Sequence, residues 1–249
     1  MSDLSYDIVT YCSQSYMQAF DRNIASWLKN TKAKNIYIYT DTNPAKFKNK
    51  NKRIIIKPMF KKCNDWIINV GKKTECILDY LVLTDSKNFA FIEMDCMIFE
   101  DFGEVFMSDM DISVTRMFSE ESYTHATITC GVWFANINDN TKQFFNHWHI
   151  QSNKYKEAGI GVYAGLIAYD QLSFTDMIRP AFINKTMKVN PLNEKIYNCE
   201  HSKMDILIDI IITKRPKIIH FKGGKFKNQE YVETILLAMR GKRIIKNEI

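Results

Sequence analysis

The chain of 249 residues reads as an α/β domain. Two observations predict this. Short apolar runs rich in Ile, Val, Tyr and Phe alternate with stretches whose apolar residues recur at helical spacing, and Asn, Asp, Gly and Pro punctuate the changes between them. The composition agrees: 46% apolar and 25% charged residues is a globular balance, and the chain is long enough to bury a large core. No repeat, low-complexity linker or compositional break divides it, so residues 1–249 are read as a single domain with a basic tail from about 228 to 249.

The elements follow in order. "YDIVTY" (6–11) is a first strand, and Tyr16, Ala19, Phe20, Ile24, Trp27 and Leu28 then share a helix face. "NIYIYT" (35–40) and "RIIIKP" (53–58) are the second and third strands, separated by a turn at Asp41, Asn43 and Pro44. A helix is expected from about Lys72 to Leu83, burying Ile77, Leu78, Leu81 and Val82. "FAFIEM", "CMIF", "DISVT" (111–115) and "ITCGVWFAN" (128–136) are further strands, and a helix is expected from an N-cap at Asp139 to about Trp148. In the second half, "GIGVYAG" (159–165) reads as a Gly-rich loop before a helix beginning near Leu166, and "VNPLNEKIYN" (189–198) as a loop. "MDILIDIIITK" is helical, "KIIHF" is the last strand, and an amphipathic helix ends the chain.

Composition also bounds function. No run of 18 apolar residues occurs, and "MSDLSYDIVT" lacks the basic and apolar regions of a signal peptide, so a cytoplasmic chain without a transmembrane segment is expected. The six cysteines form no CxxC pair, which argues against a zinc ribbon or a disulfide framework and for buried free thiols. The net charge of +6 is concentrated in two places. Lys46, Lys48, Lys50, Lys52, Arg53, Lys57, Lys61 and Lys62 lie between Asp41 and Asp65 with no acid among them, and ten Lys or Arg face three Glu from Thr213 onward. Such segments suit a polyanion (a nucleotide, a nucleic acid or an anionic membrane) or serve simply as solvated surface.

The stretch "FIEMDCMIFEDF" (91–102) carries the chemistry. Glu93 and Asp95 stand two apart where an apolar strand ends, so they project side by side, and a divalent metal is the natural partner for two like charges held together. In "IIHFKGGKF", His220 ends a strand and is followed by Gly223, Gly224 and Lys225. An imidazole can complete an oxygen-rich sphere of the manganese type, glycines let backbone approach phosphate, and a lysine offers phosphate a point charge. Three other groupings have ordinary readings. His147 and His149 fall on a helix and do not converge; Asp109/Asp111 is a second D-x-D that precedes its strand and reads as a turn or cap, with the metal pair as its alternative; and Cys199, Glu200 and His201 offer ligand atoms but read as loop residues, since adjacent residues rarely converge on one ion.

In this order the motifs resemble those of the GT-A nucleotide-sugar glycosyltransferases, most closely the retaining glycogenin-like and lipopolysaccharide-galactosyltransferase-like group. "FIEMDCMIFEDF" is similar to the family's D-x-D segment with Glu93 in the first acidic place, and "HFKGGK" to H-F-x-G-x-x-K with the lysine one position early, at Lys225. "TCGVWFANI" resembles the N-x-G segment lining the donor sugar, with Thr129 in the amide's place and Gly131 retained; "YDQLSF" resembles the D-Q segment, and "EKIYNCE" the loop ending in Asn198. The resemblance covers residues 6 to about 227.

It implies a GT-A fold with a mixed central sheet, and a divalent metal (Mn2+ or Mg2+) held by Glu93, Asp95 and His220. It also implies nucleoside contacts at Tyr11 and Ser13, with Lys72 or Lys73, Gly223 and Lys225 toward the diphosphate, Gly131 beside the sugar, and Asp170 and Gln171 as the catalytic pair. The activity implied is transfer of a hexose or pentose from a nucleotide-diphosphate sugar to an acceptor hydroxyl on a surface glycan or lipid-linked sugar, with the basic tail on an anionic membrane face. A second acceptor is hydroxylated DNA, as for a phage-type enzyme, because Phe47, Phe60 and Trp66 lie in or beside the basic 46–62 segment. A third reading is a catalytically silent nucleotide-sugar or nucleic-acid binding module.

Overall fold

The computed structural model describes residues 5–59, 66–116, 128–160, 169–201, 203–221 and 225–246. Strands β1 (Asp7–Cys12), β2 (Ile36–Thr40), β3 (Ile54–Pro58), β4 (Asn88–Ile92), β6 (Ile112–Arg116), β7 (Ile128–Asn136) and β8 (Val189–Leu192) form one seven-stranded sheet in the order β3-β2-β1-β4-β7-β6-β8. The first four are parallel, β7 runs antiparallel to both β4 and β6, and β8 lies parallel to β6. The sheet is therefore mixed, as expected. A separate ribbon pairs β5 (Cys96–Ile98) with β9 (Ile218–His220).

The period of two in the strands sorts side chains between two cores. On one face Ile8, Ala90, Ile92, Val132 and Phe134 pack with Phe20, Ile24 and Trp27 of α1 (Met17–Asn30). On the other, Val9, Phe89, Phe91 and Trp133 pack with Cys76, Ile77 and Tyr80 of α2 (Trp66–Leu83), Phe145 and Trp148 of α3 (Asp139–Glu157) and Phe174 of α4 (Tyr169–Ile183). A third cluster joins Ile219 and Phe221 to Leu207 and Ile211 of α6 (Met204–Lys214) and Val232 and Ile235 of α7 (Gln229–Lys246). On β7 the alternation breaks at Gly131: Val114 of β6 pairs with Trp133 but Arg116 with Ile128, an irregularity that re-aims the backbone beside the β4 terminus.

Several expected boundaries move for local reasons. The second helix begins at Trp66 rather than Lys72, and Val82 is 85% exposed, leaving Cys76, Ile77 and Tyr80 as its buried face. The N-cap of α3 is Asn138, not Asp139: its side chain accepts from the Thr141 amide while the Thr141 hydroxyl accepts from the Asn138 amide. Asp139 falls in the first turn, where its charge favours the helix dipole. The helix runs past Trp148 to Glu157, with Lys154 and Lys156 in its last turn, and the chain leaves it through Gly159 at φ +67. The stretch 189–198 is not a loop but β8 and the short helix α5 (Glu194–Tyr197), capped by Asn193. β8 carries Pro191 and escapes notice in sequence because an edge strand needs neither alternation nor every amide. Most of the Gly-rich stretch, with Leu166, lies outside the described residues.

Candidate active site

Parallel strands β1, β2 and β4 end at one edge of the sheet, which places Tyr11 and Ser13, Asp41, and the Glu93/Asp95 pair along a common margin. The acids do not extend β4. They stand in the turn that follows Ile92, closed by the Cys96 amide donating to the Glu93 carbonyl at 3.0 Å, with Met94 buried in the core between them. The β5–β9 ribbon pairs Cys96 with His220, and the Phe221 amide donates to the Asp95 carbonyl at 3.0 Å. Backbone pairing thus carries His220 to the acids. Its Nε2 lies 3.1 Å from Glu93 Oε2 and 3.2 Å from Asp95 Oδ1.

Two of these atoms, Asp95 Oδ1 and His220 Nε2, are buried without a hydrogen-bond partner among the described residues. Buried polar atoms left without a hydrogen bond are costly, and a bound cation would satisfy both. Two carboxylate oxygens and an imidazole nitrogen are a donor set that a hard or borderline divalent cation accepts, so the residues fit the group their order implies. The sulfur of Cys96 is also within 4.8 Å of Asp95 and His220 ligand atoms. Burial alone would lower the His220 pKa, but the Asp95 and Glu93 carboxylates outweigh it and raise it from 6.5 to about 10.

Lys73 joins this cluster to α4. Buried at 6% exposure, its ammonium pairs with Glu93 Oε1 and, at 2.9 Å, with Asp170 Oδ2. Cys130 Sγ donates to the same Asp170 oxygen at 3.3 Å, and burial, then Asp170, keep that thiol protonated. Burial would lower the Lys73 pKa, and the Asp170 and Glu93 carboxylates more than offset it. Burial would likewise raise Glu93, and Lys73 and His220 hold it below the usual carboxylate range. Asp170 is fixed from behind by Trp148, whose indole N–H donates to the Asp170 carbonyl at 3.1 Å, while Asp170 Oδ1 has no hydrogen-bond partner among the described residues. Gln171 follows it, half-buried.

Gly131 is in contact with the acids. A Cβ there would fall 2.6 Å from Glu93 Oε2 and 2.8 Å from His220 Cε1, so only glycine lets the two close on β7. Thr129 does not line an open sugar pocket. It is 1% exposed and turned inward, to Thr115 Oγ1 at 2.6 Å and Asn198 Nδ2 at 2.8 Å, and Asn198 Oδ1 reaches His220 Nδ1 at 3.0 Å.

At the nucleoside end, the Lys72 ammonium donates to the Tyr11 hydroxyl at 3.3 Å and lies 5.4 Å from its ring centroid; Ser13 is buried, bonded to Ser15 at 2.7 Å. Lys225 donates to the His201 carbonyl at 2.9 Å and lies over the Tyr231 ring; Gly223 and Gly224 lie outside the described residues. The ordinary readings of the remaining groups hold. His147 is exposed, His149 bonds Thr74 Oγ1 at 2.8 Å, and Asp111 accepts from the Lys188 amide at 2.9 Å and Asn138 Nδ2 at 2.7 Å as a turn carboxylate. Cys199 is buried in the third cluster, and Glu200 Oε2 stands 4.0 Å from His220 Nδ1. Three residues beside the site carried no role in the sequence. Cys130 and Asn198 touch Asp170 and His220, and Tyr16 is near enough to Asp95 that this charge, then burial, holds its phenol well above its ordinary pKa.

A mixed sheet with two acids after its fourth strand and a histidine delivered to them by a second ribbon defines a GT-A glycosyltransferase. The chain belongs to the nucleotide-diphospho-sugar transferase family, whose model matches residues 17–230. By fold it is similar to the galactosyltransferase LgtC, solved in complex with donor and acceptor sugar analogues: TM-score 0.57, 13% identity, 93% of this chain and 95% of that one covered. No curated protein matches the chain by sequence.

Proposed function

We propose that the protein is a divalent-cation-dependent glycosyltransferase that moves a hexose or pentose, with retention, from a nucleotide-diphosphate sugar to a saccharide hydroxyl on a surface glycan or lipid-linked sugar. The observation that carries this reading is the convergence of Glu93, Asp95 and His220, with Asp95 Oδ1 and His220 Nε2 buried and without a hydrogen-bond partner among the described residues, beside the Lys73–Asp170 pair. Glu93, Asp95 and His220 would hold Mn2+ or Mg2+, which when bound neutralises charge on the departing diphosphate. Asp170, anchored through Oδ2 by Lys73 and Cys130, keeps Oδ1 for a sugar hydroxyl, and Gln171 stands next to it. Tyr11 and Ser13 hold the nucleoside, Gly131 lets Glu93 and His220 close on β7 beside the sugar, and Gly223 and Lys225 serve the diphosphate.

A saccharide acceptor is favoured over DNA because the basic segment is partly committed to the fold. Phe47 is buried edge-on against Phe20, and Arg53 donates to the carbonyls of Leu28, Thr31 and Ala33. Phe60 lies outside the described residues. Arg240 is exposed on the basic tail and Lys227 just before it, which suits peripheral contact with an anionic membrane on the cytoplasmic face. Incubation with a panel of nucleotide sugars, with Mn2+ or with EDTA, tests the reading. Cation-dependent hydrolysis or transfer from one donor is expected; no turnover with any donor, together with no cation-dependent nucleotide binding, overturns it. Nucleotide binding without turnover would instead favour the silent binding module.

A further inference from the structure

A neutral imidazole has one N–H and one lone pair, and only the nitrogen with the lone pair can face a cation. Which nitrogen that is depends on what the other one bonds. In this chain Nδ1 of His220 lies 3.0 Å from Asn198, whose side chain is fully buried. An amide offers oxygen or nitrogen, and the choice between them must come from its other contacts.

Those contacts leave one orientation. Thr115 Oγ1 stands 3.3 Å from the Val132 carbonyl and Thr129 Oγ1 3.5 Å from the Thr115 carbonyl, so each hydroxyl has a backbone acceptor of its own. One of the two hydrogens lies in the 2.6 Å contact between the hydroxyls, and either way the oxygens keep lone pairs. Asn198 Nδ2 fills them, at 2.8 Å on Thr129 and 3.3 Å on Thr115. The amide oxygen is therefore the atom that faces His220. All four side chains are 3% exposed or less. Glu200, at 4.0 Å from Nδ1, is too distant to take the same proton in a hydrogen bond.

We infer that Asn198, oriented by Thr129 and Thr115, is a positioning residue that holds the His220 proton on Nδ1 and so presents the Nε2 lone pair to the cation between Glu93 and Asp95. The inference rests on the proposed metal site. It gives Thr129 a function that does not involve touching the sugar.

The test compares full-length wild type with Asn198→Leu, Asn198→Asp, Thr129→Val and His220→Ala. Mn2+ affinity is measured by electron paramagnetic resonance and folding by melting curves. The Zn2+-loaded proteins are examined for a slowly exchanging His220 Nδ1–H signal in 15N-histidine NMR. Asn198→Leu is expected to weaken Mn2+ by about 10- to 100-fold and to lose the Nδ1–H signal. Asn198→Asp, which still accepts from Nδ1, keeps both near wild type, and Thr129→Val shifts both in the direction of the leucine variant by less. A folded Asn198→Leu with wild-type Mn2+ affinity overturns the inference. Should that variant not fold, Thr129→Val indistinguishable from wild type in both readouts overturns it. If His220→Ala also binds Mn2+ as wild type does, the metal site itself falls, which separates the two failures.

Discussion

Lys73 holds two carboxylates in the site. Pairing with Glu93 and Asp170 compensates one buried and one partly exposed carboxylate, and removing it would leave Asp170 charged in the interior with Glu93 repelling it. Lys73→Met should therefore cost about 3–5 kcal/mol in urea unfolding, well beyond the effect of an exposed lysine such as Lys48. A loss below 1 kcal/mol would deny the pair its structural role. His220 makes a pH prediction for the cation-free chain. Its pKa is raised on folding from 6.5 to about 10, so its contribution to stability is fully present below 6.5 and is lost as pH rises through 10. Melting in EDTA should fall from pH 7 to 10 more steeply for wild type than for His220→Gln; equal slopes would contradict the raised pKa. In sequence Lys73 was a lysine near an acidic pair. Burial makes it a counter-ion, and no spacing along the chain announces that Asp170 will be its second partner.

Two elements carry the site through backbone constraints. The irregularity on β7 turns Gly131 toward the acids, so Gly131→Ala drives a methyl into Glu93 and His220. It should destabilise by about 1–3 kcal/mol and weaken Mn2+ binding, read by denaturation and by cation titration; an unchanged cation affinity would show that the acids do not close on this strand. At the far end of α1, Arg53 donates to the Leu28, Thr31 and Ala33 carbonyls, satisfying groups that a helix terminus leaves bare. Arg53→Ala is expected to cost about 1.5–3 kcal/mol, measured by urea unfolding, with nucleotide binding unaltered. Strongly periodic elements were legible: β1, β2, β3, α1 and β7 lie where their apolar patterns put them. β8 was not, because its pairing with β6 comes from a distant strand and its four residues have no alternation of their own.

For the whole molecule, a cation that binds only the folded chain must raise its melting temperature. Mn2+ at a hundred times its dissociation constant adds about 2.7 kcal/mol, or roughly 5–10 °C for a chain of this size. Calorimetry on wild type and Asp95→Ala checks this, and an equal rise in both would remove Asp95 from the cation site. The sequence by itself determined the α/β class, because periods of 2 and 3.6 are local properties of the chain. Together with the order of its motifs it picked out Glu93, Asp95 and His220 as a set. Only the tertiary structure decided how they meet. The β5–β9 ladder brings His220 to the acids, Lys73 draws one Glu93 oxygen toward Asp170, and Asn198 and two threonines meet behind the imidazole. Hydrogen-bond direction and burial depend on which residues become neighbours in space, and that information exists only once the sheet has closed.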